Sequence, residues 1–220
     1  MRDRGFSGSW SNTLTLRIRY QETQTPSTVG DLDLDSTVRE SSSSDRSLDE
    51  CCMMRFSSSS LASLRSLQPT SLLVLLTPVL APARIEKGID NPFSTDPFET
   101  FGRELSKLHQ RLRHVPYVPK VGLTETHVAF IKHASAVVVV ICEPTGESSE
   151  SLCHQQAFAN AAIAARDVYR GGAKVPYVLV RFEAGDMDET DHGYENVVHA
   201  PSLTQQASQK ATQLLFQDQT

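Results

Sequence analysis

Two nearly unbroken apolar runs, Ala136–Cys142 (AVVVVIC) and Val175–Phe182 (VPYVLVRF), constrain this chain more than any other feature. A strand without polar alternation has no face to offer water, so both faces must be covered. That is the mark of parallel strands flanked by helices. Between the two runs, Leu152, Phe158, Ala162, Ile163 and Ala165 recur at helical spacing. They predict a helix that begins at Ser148 or Ser151 and stops at Gly171-Gly172.

Strand and helix signals alternate from Ser71 onward. Ser71–Thr77 reads as a first buried strand, ended by Pro78. Asp96, Pro97 and Glu99 supply N-cap, first-turn proline and capping-box glutamate for a helix whose apolar face is Phe98, Phe101, Leu105, Leu108 and Leu112. His114–Val118 is a shorter strand, and Pro116 places it at an edge or a strand end. Thr124 caps a helix running to about His133, with Val128, Ile131 and Ala134 facing inward. Ala136–Cys142 is expected to be central, Tyr194–His199 to add a fifth strand, and Ser202–Phe216 a closing helix. The order βαβαβαβ(β)α predicts an α/β three-layer sandwich with a mostly parallel sheet.

Residues 1–67 differ in character. Serine runs at Ser41–Ser44 and Ser57–Ser60 and the acidic stretch DLDLD offer no sustained period, and too little apolar surface to offset the entropy of ordering. The expectation is a disordered serine-rich tail over 1–67 and an α/β domain over 68–220. The alternation Leu14–Tyr20 could make one strand, but it has no visible partner nearby.

Charge and cysteine usage exclude several classes. A net charge of −5 is the wrong sign for a nucleic-acid binder. Four cysteines without a CxxC pair or zinc-type spacing predict neither a disulfide scaffold nor a metal centre. His127 and His133 are six apart on one helix and so on different faces, which argues against a shared metal. The longest apolar run, Leu72–Ala83, holds two prolines and is far short of the ~20 residues a spanning helix needs. With no apolar signal core at the N-terminus either, a cytoplasmic protein without a membrane partner is the expectation.

Ligands of parallel sheets gather beyond the strands' carboxyl ends. That rule nominates Thr77-Pro78, Tyr117–Lys120, Glu143–Gly146 and Glu183–Asp186. The loop CEPTGESSES, which leads into a helix N-terminus, is the best pocket candidate. Glu143, Thr145, Gly146, Glu147, His114 and Tyr117 are the ligand-binding candidates. No Walker loop, no dinucleotide fingerprint and no G-x-S-x-G elbow is present, and the acidic run Asp186–Asp191 lacks the glycine and terminal glutamate of a calcium loop. No cofactor is implied. One enzymatic alternative stands: the strand-end pair Cys142 and Glu143, working with a histidine on a small molecule.

The phrases PFETFGREL, RHVPY, GLTETHVAFI and VVVVICEP, with LLVLLTPVL and VPYVLVRF around them, resemble the C-terminal α/β domain of fungal glycoside hydrolase family 3 proteins, on the branch similar to β-N-acetylhexosaminidases. The likeness spans about residues 71–217. It implies a domain that follows a (β/α)8 barrel, and the barrel carries the aspartate nucleophile. On that branch a barrel loop with a KHFPGHG-like motif also supplies a His-Asp general acid. Neither motif occurs in this sequence. Glycoside hydrolysis needs two catalytic groups flanking the scissile bond. The resemblance therefore implies a truncated or orphan accessory domain without catalysis of its own, whose partners are a carbohydrate or a glycosidase barrel domain. In the glucosidase branch the second domain contributes an acid/base carboxylate; Glu143 and Glu147 are the candidates for that role here, and no catalytic residue is assigned.

Overall fold

A computed structural model describes residues 50–80, 96–143, 149–170, 175–183 and 193–217. Among the described residues six strands and five helices follow one another: β1 (Cys52–Arg55), α1 (Ser58–Arg65), β2 (Leu73–Pro78), α2 (Glu99–Leu108), β3 (Leu112–Tyr117), α3 (Glu125–His133), β4 (Ala136–Cys142), α4 (Ser149–Arg170), β5 (Tyr177–Phe182), β6 (Asn196–Ala200) and α5 (Gln205–Phe216). The strands form one sheet in the order β1-β6-β5-β4-β2-β3. Every pairing is parallel except that of β1 with β6. The fold is a three-layer α/β sandwich with a mostly parallel sheet, as the unbroken apolar runs require.

The pleat divides the core in two. Leu73, Leu75, Val138, Val140, Val178 and Val180 point to one side, against Phe98, Phe101 and Leu105 of α2 and Ala211 and Leu215 of α5. Their neighbours Val74, Leu76, Val137, Val139 and Leu179 point to the other, against Ile131 of α3 and Phe158, Ala159 and Ala162 of α4. Phe101 meets Phe182 edge-on at 5.3 Å between ring centroids, a geometry that adds to simple burial. Proline-bearing β3 lies at the sheet edge and β4 is interior, as expected.

At α3 the Thr124 cap is as expected, but α2 starts later than its sequence signal. Phe98 is its N-cap, and Glu99 is the first helical residue and pairs with Arg103 instead of closing a capping box. Asp96 accepts a bond from the Phe98 N–H through Oδ1 (2.9 Å), and its carbonyl accepts from Glu99 N–H (3.0 Å), so it ties down the turn that opens α2. At α3 the Thr124 N–H donates to Nδ1 of His127 (3.1 Å). With Nδ1 accepting, Nε2 carries the proton and faces the Pro116 carbonyl at 3.3 Å. His127 thus serves as a helix-capping group, and His133 is exposed on the last turn.

The folded unit begins earlier than residue 68. Cys52–Leu67, expected to belong to the tail, supplies β1 and α1, and the serine run Ser57–Ser60 is part of the reason. Ser57 N-caps α1 and its N–H donates to Oδ1 of Asn196 (3.1 Å), while Nδ2 of Asn196 donates to Oγ of Ser60 (2.8 Å). Leu61 and Leu64 enter the core beside α5. Arg65 donates from Nε to the Leu215 carbonyl (3.1 Å) and from Nη2 to that of Leu214 (3.2 Å), which satisfies acceptors at the end of α5. Tertiary packing has overridden weak helix propensity. The expected strand Leu14–Tyr20 and the remaining tail up to residue 49 lie outside the described residues, as do the Gly171-Gly172 stop and the acidic run Asp186–Asp191.

Candidate functional site

The carboxyl ends of β3, β2, β4, β5 and β6 lie along one edge of the sheet. Chain connections leave β2 toward β3 and leave β4 toward β5, so the switch point falls between β2 and β4. The ladder between those two strands stops at Leu76 opposite Val139. Beyond it, β2 stays paired with β3 as far as Pro78 opposite Tyr117, and β4 with β5 as far as Cys142 opposite Phe182. Two neighbouring strands therefore part just where a ligand crevice is expected.

Protein side chains occupy that opening. Tyr117 is fully buried; its hydroxyl donates to the Val140 carbonyl (2.8 Å), and its ring stacks on Phe158 with centroids 3.6 Å apart and planes 3° from parallel. Burial pushes the Tyr117 hydroxyl well above the usual phenol range, which fixes it as a neutral donor. Gln155, also fully buried, accepts from the Cys142 N–H through Oε1 (2.8 Å) and donates to the Cys142 carbonyl through Nε2 (2.9 Å). The side-chain amide completes the hydrogen bonding that a neighbouring strand would otherwise supply.

Titratable groups stand on either side of this plug. Glu143 N–H donates to the Phe182 carbonyl (3.3 Å) and Glu183 N–H to that of Ala200 (3.0 Å), so two half-buried glutamates extend adjacent strand ends. Glu183 has φ 54°, the left-handed region that side chains other than glycine rarely enter, and its Oε1 accepts from the Leu203 N–H at 3.3 Å. Strain of this sort, of order 1–3 kcal/mol, clusters at functional sites. Toward the β3 edge, Thr77 Oγ1 lies 2.6 Å from Nε2 of His114, and Asp96 Oδ2 lies 3.7 Å from the same nitrogen. A charge-orienting triad needs the carboxylate on the other ring nitrogen. Asp96, His114 and Thr77 therefore form a polar cluster without relay geometry.

The candidates singled out from sequence do not converge. His114 is in register with Leu75 on the α2 side, whereas Tyr117 packs on the α3–α4 side. Glu143 directly follows β4 at the switch-point edge. Thr145, Gly146 and Glu147 lie outside the described residues. Cys142 is fully buried in the α2–α5 core, so it is no strand-end nucleophile, and the pairing of Cys142 with Glu143 loses its basis. Sequence reading missed Gln155, gave Asp96 a capping role alone, and nominated Glu183 as a strand end without its left-handed backbone. Gln155 carried a usable signal: it is the polar residue on a face otherwise set by Leu152, Phe158, Ala159 and Ala162. Among the described residues no group of three or more His, Cys, Asp or Glu could hold a metal ion, and no helix is long and apolar enough to cross a membrane. A groove of about 750 Å³ lined by Met53, Phe56, Leu61, Arg65 and Leu214 lies at the opposite, β1 end of the sheet and takes in none of the switch-point groups.

No family model matches the chain, and no curated protein matches it. Among solved structures, a fungal multi-domain GH3 β-N-acetylglucosaminidase, described as containing a GCN5-related glucosamine N-acetyltransferase region, superposes with a TM-score of 0.52 at 14% identity, over 77% of this chain and 16% of its own. Two structures of a Listeria innocua β-glucosidase, with isofagomine and with glucose, superpose at TM-scores of 0.47 and 0.46, each at 16% identity, over 75% and 76% of this chain. The chain spans less than a quarter of the length of these proteins (16% and 23%). The likeness to the fungal protein is one of fold.

Proposed function

We propose that this chain is an accessory α/β domain related to the second domain of family 3 glycoside hydrolases, which acts by docking against a separate glycosidase barrel domain and hydrolyses no glycoside alone. The observation that carries this reading is the three-layer parallel sheet shared with the fungal family 3 protein over 77% of the chain. Two further points support it. The phrases that resemble the family, PFETFGREL, RHVPY, GLTETHVAFI and VVVVICEP, map onto α2, β3, α3 and β4, the elements that surround the switch point. The crevice there is filled by Tyr117 and Gln155, which leaves the edge suited to contact with another surface.

Between a carbohydrate and a barrel domain as what meets this edge, the exposed side chains favour the latter. Val79, Val118 and Val121 are 50%, 47% and 66% exposed beyond the ends of β2 and β3. The Val79 N–H bonds to the Tyr117 carbonyl (2.7 Å) and the Val121 N–H to that of Val118 (3.0 Å), which gathers the three residues at one corner. Apolar side chains grouped in this way fit a protein surface better than a sugar's hydroxyls.

The test mixes the purified chain with a family 3 catalytic barrel expressed apart from its own second domain, and follows association by calorimetry. Binding is expected, with the affinity lowered at least tenfold by Val121→Asp, a surface change that leaves the fold intact. No association, or association indifferent to Val121→Asp, would overturn the docking reading.

A further inference from the structure

On the α3–α4 side of the sheet, at the end away from β3, a thiol, an imidazole and a guanidinium stand in one row. Cys52 of β1 is directly opposite His199 of β6, and His199 is in register with Arg181 of β5. Directly paired positions bring Cβ atoms to about 4.5–5.5 Å. The pleat puts all three on one face. Cys51 and Met53 pack against the α2–α5 core, so Cys52 between them points the other way. Val198 and Ala200 flank His199, and Val180 and Phe182 flank Arg181, again with the flanking residues in that opposite core. His199 and Arg181 are buried, and Cys52, on the edge strand of the sheet, is half-buried.

This is the chemistry of an activated cysteine. A neighbouring imidazole accepts the thiol proton, and a guanidinium, which keeps its charge at any physiological pH, stabilises the thiolate that results. Burial of the guanidinium strengthens its field at the sulfur, because fewer waters screen it. Nothing in the docking role uses these residues, which lie at the far side of the sheet from Val79, Val118 and Val121.

We propose that Cys52 is a reactive thiol, activated by His199 and Arg181, that exchanges with small disulfides of the glutathione type. The Cys52 proton passes to the His199 imidazole, and the thiolate sulfur attacks one sulfur of the disulfide. That S–S bond breaks as the Cys52 mixed disulfide forms, and the departing thiolate takes up the proton. One disulfide is consumed and one formed, so no further oxidant is needed.

The chain's other cysteines serve as internal references. Burial, with the neighbouring Cys52 as a lesser cause, pushes the Cys51 thiol up to about 12. Cys142 is fully buried, and Cys153 is exposed on α4. A basic neighbourhood raises a thiol's thiolate fraction at neutral pH by more than it lowers the nucleophilicity of each thiolate, so the net effect is faster exchange.

The experiment incubates the full chain with glutathione disulfide at neutral pH and follows each cysteine by peptide mass spectrometry, with Cys51→Ser used to assign the adjacent pair. Cys52 is expected to form its mixed disulfide at least threefold faster than Cys153, despite being less exposed. His199→Asn should remove that advantage and leave the Cys153 rate unchanged. The proposal is overturned if Cys153 keeps pace with Cys52 in the unaltered chain, a comparison that needs no variant to fold. It is overturned equally if a folded His199→Asn protein keeps the unaltered Cys52 rate.

Discussion

Replacing Tyr117 with alanine is expected to destabilise the protein by about 3–5 kcal/mol, the range for deleting a large aromatic from a packed core. The ring stacks on Phe158 at 3.6 Å and fills the gap where β2 and β4 part, and neither strand can close that gap because each is held by its other neighbour. The hydroxyl is a separate contribution. Tyr117→Phe keeps the stack but leaves the Val140 carbonyl without its 2.8 Å donor, a loss of about 1–2 kcal/mol. Urea unfolding followed by circular dichroism separates the two, provided the denaturant slope is unchanged. Were the opening a ligand cleft with Tyr117 merely at its mouth, Tyr117→Ala would cost less than about 1 kcal/mol, and the account of the plug would be wrong.

Gln155→Leu is expected to cost about 2–6 kcal/mol although it preserves side-chain size. The loss comes from the backbone: both the N–H and the carbonyl of Cys142 would be left unpaired in a fully buried site, at roughly 1–3 kcal/mol for each group. Gln155→Ala admits space for a water molecule that can pair with these groups, so it should be no worse than leucine despite the larger void. Alanine more damaging than leucine would show that volume, rather than the amide clip, is what Gln155 contributes at the end of β4.

How much of this was legible depends on how much of each signal was local. Ala136–Cys142 announced a doubly covered strand because every residue in it is apolar, and Pro116 announced an edge because it lacks a donor. The beginning of the fold was hidden. Cys52–Arg55 is four residues long and is ordered by pairing with Val197, Val198 and His199, while SSSLASLR, half of it serine, is ordered by contacts with Asn196, Leu214 and Leu215, all far along the chain. Glu143 follows the last residue of β4, the kind of position the strand-end rule selects. The separation of His114 from Tyr117 was readable, since residues three apart on a strand face opposite ways. The left-handed backbone of Glu183 was not, because nothing in RFEAGD marks the glutamate as a residue to take that conformation.

The central claim, an accessory domain without hydrolysis of its own, is tested most directly by incubating the purified chain with aryl N-acetyl-β-glucosaminide and aryl β-glucoside substrates and measuring release of the aryl alcohol. The account predicts no turnover above that of a Glu143→Gln, Glu183→Gln double variant. Turnover by the unaltered chain that disappears in either single variant would contradict it, and would make the glutamates at the ends of β4 and β5 a catalytic pair.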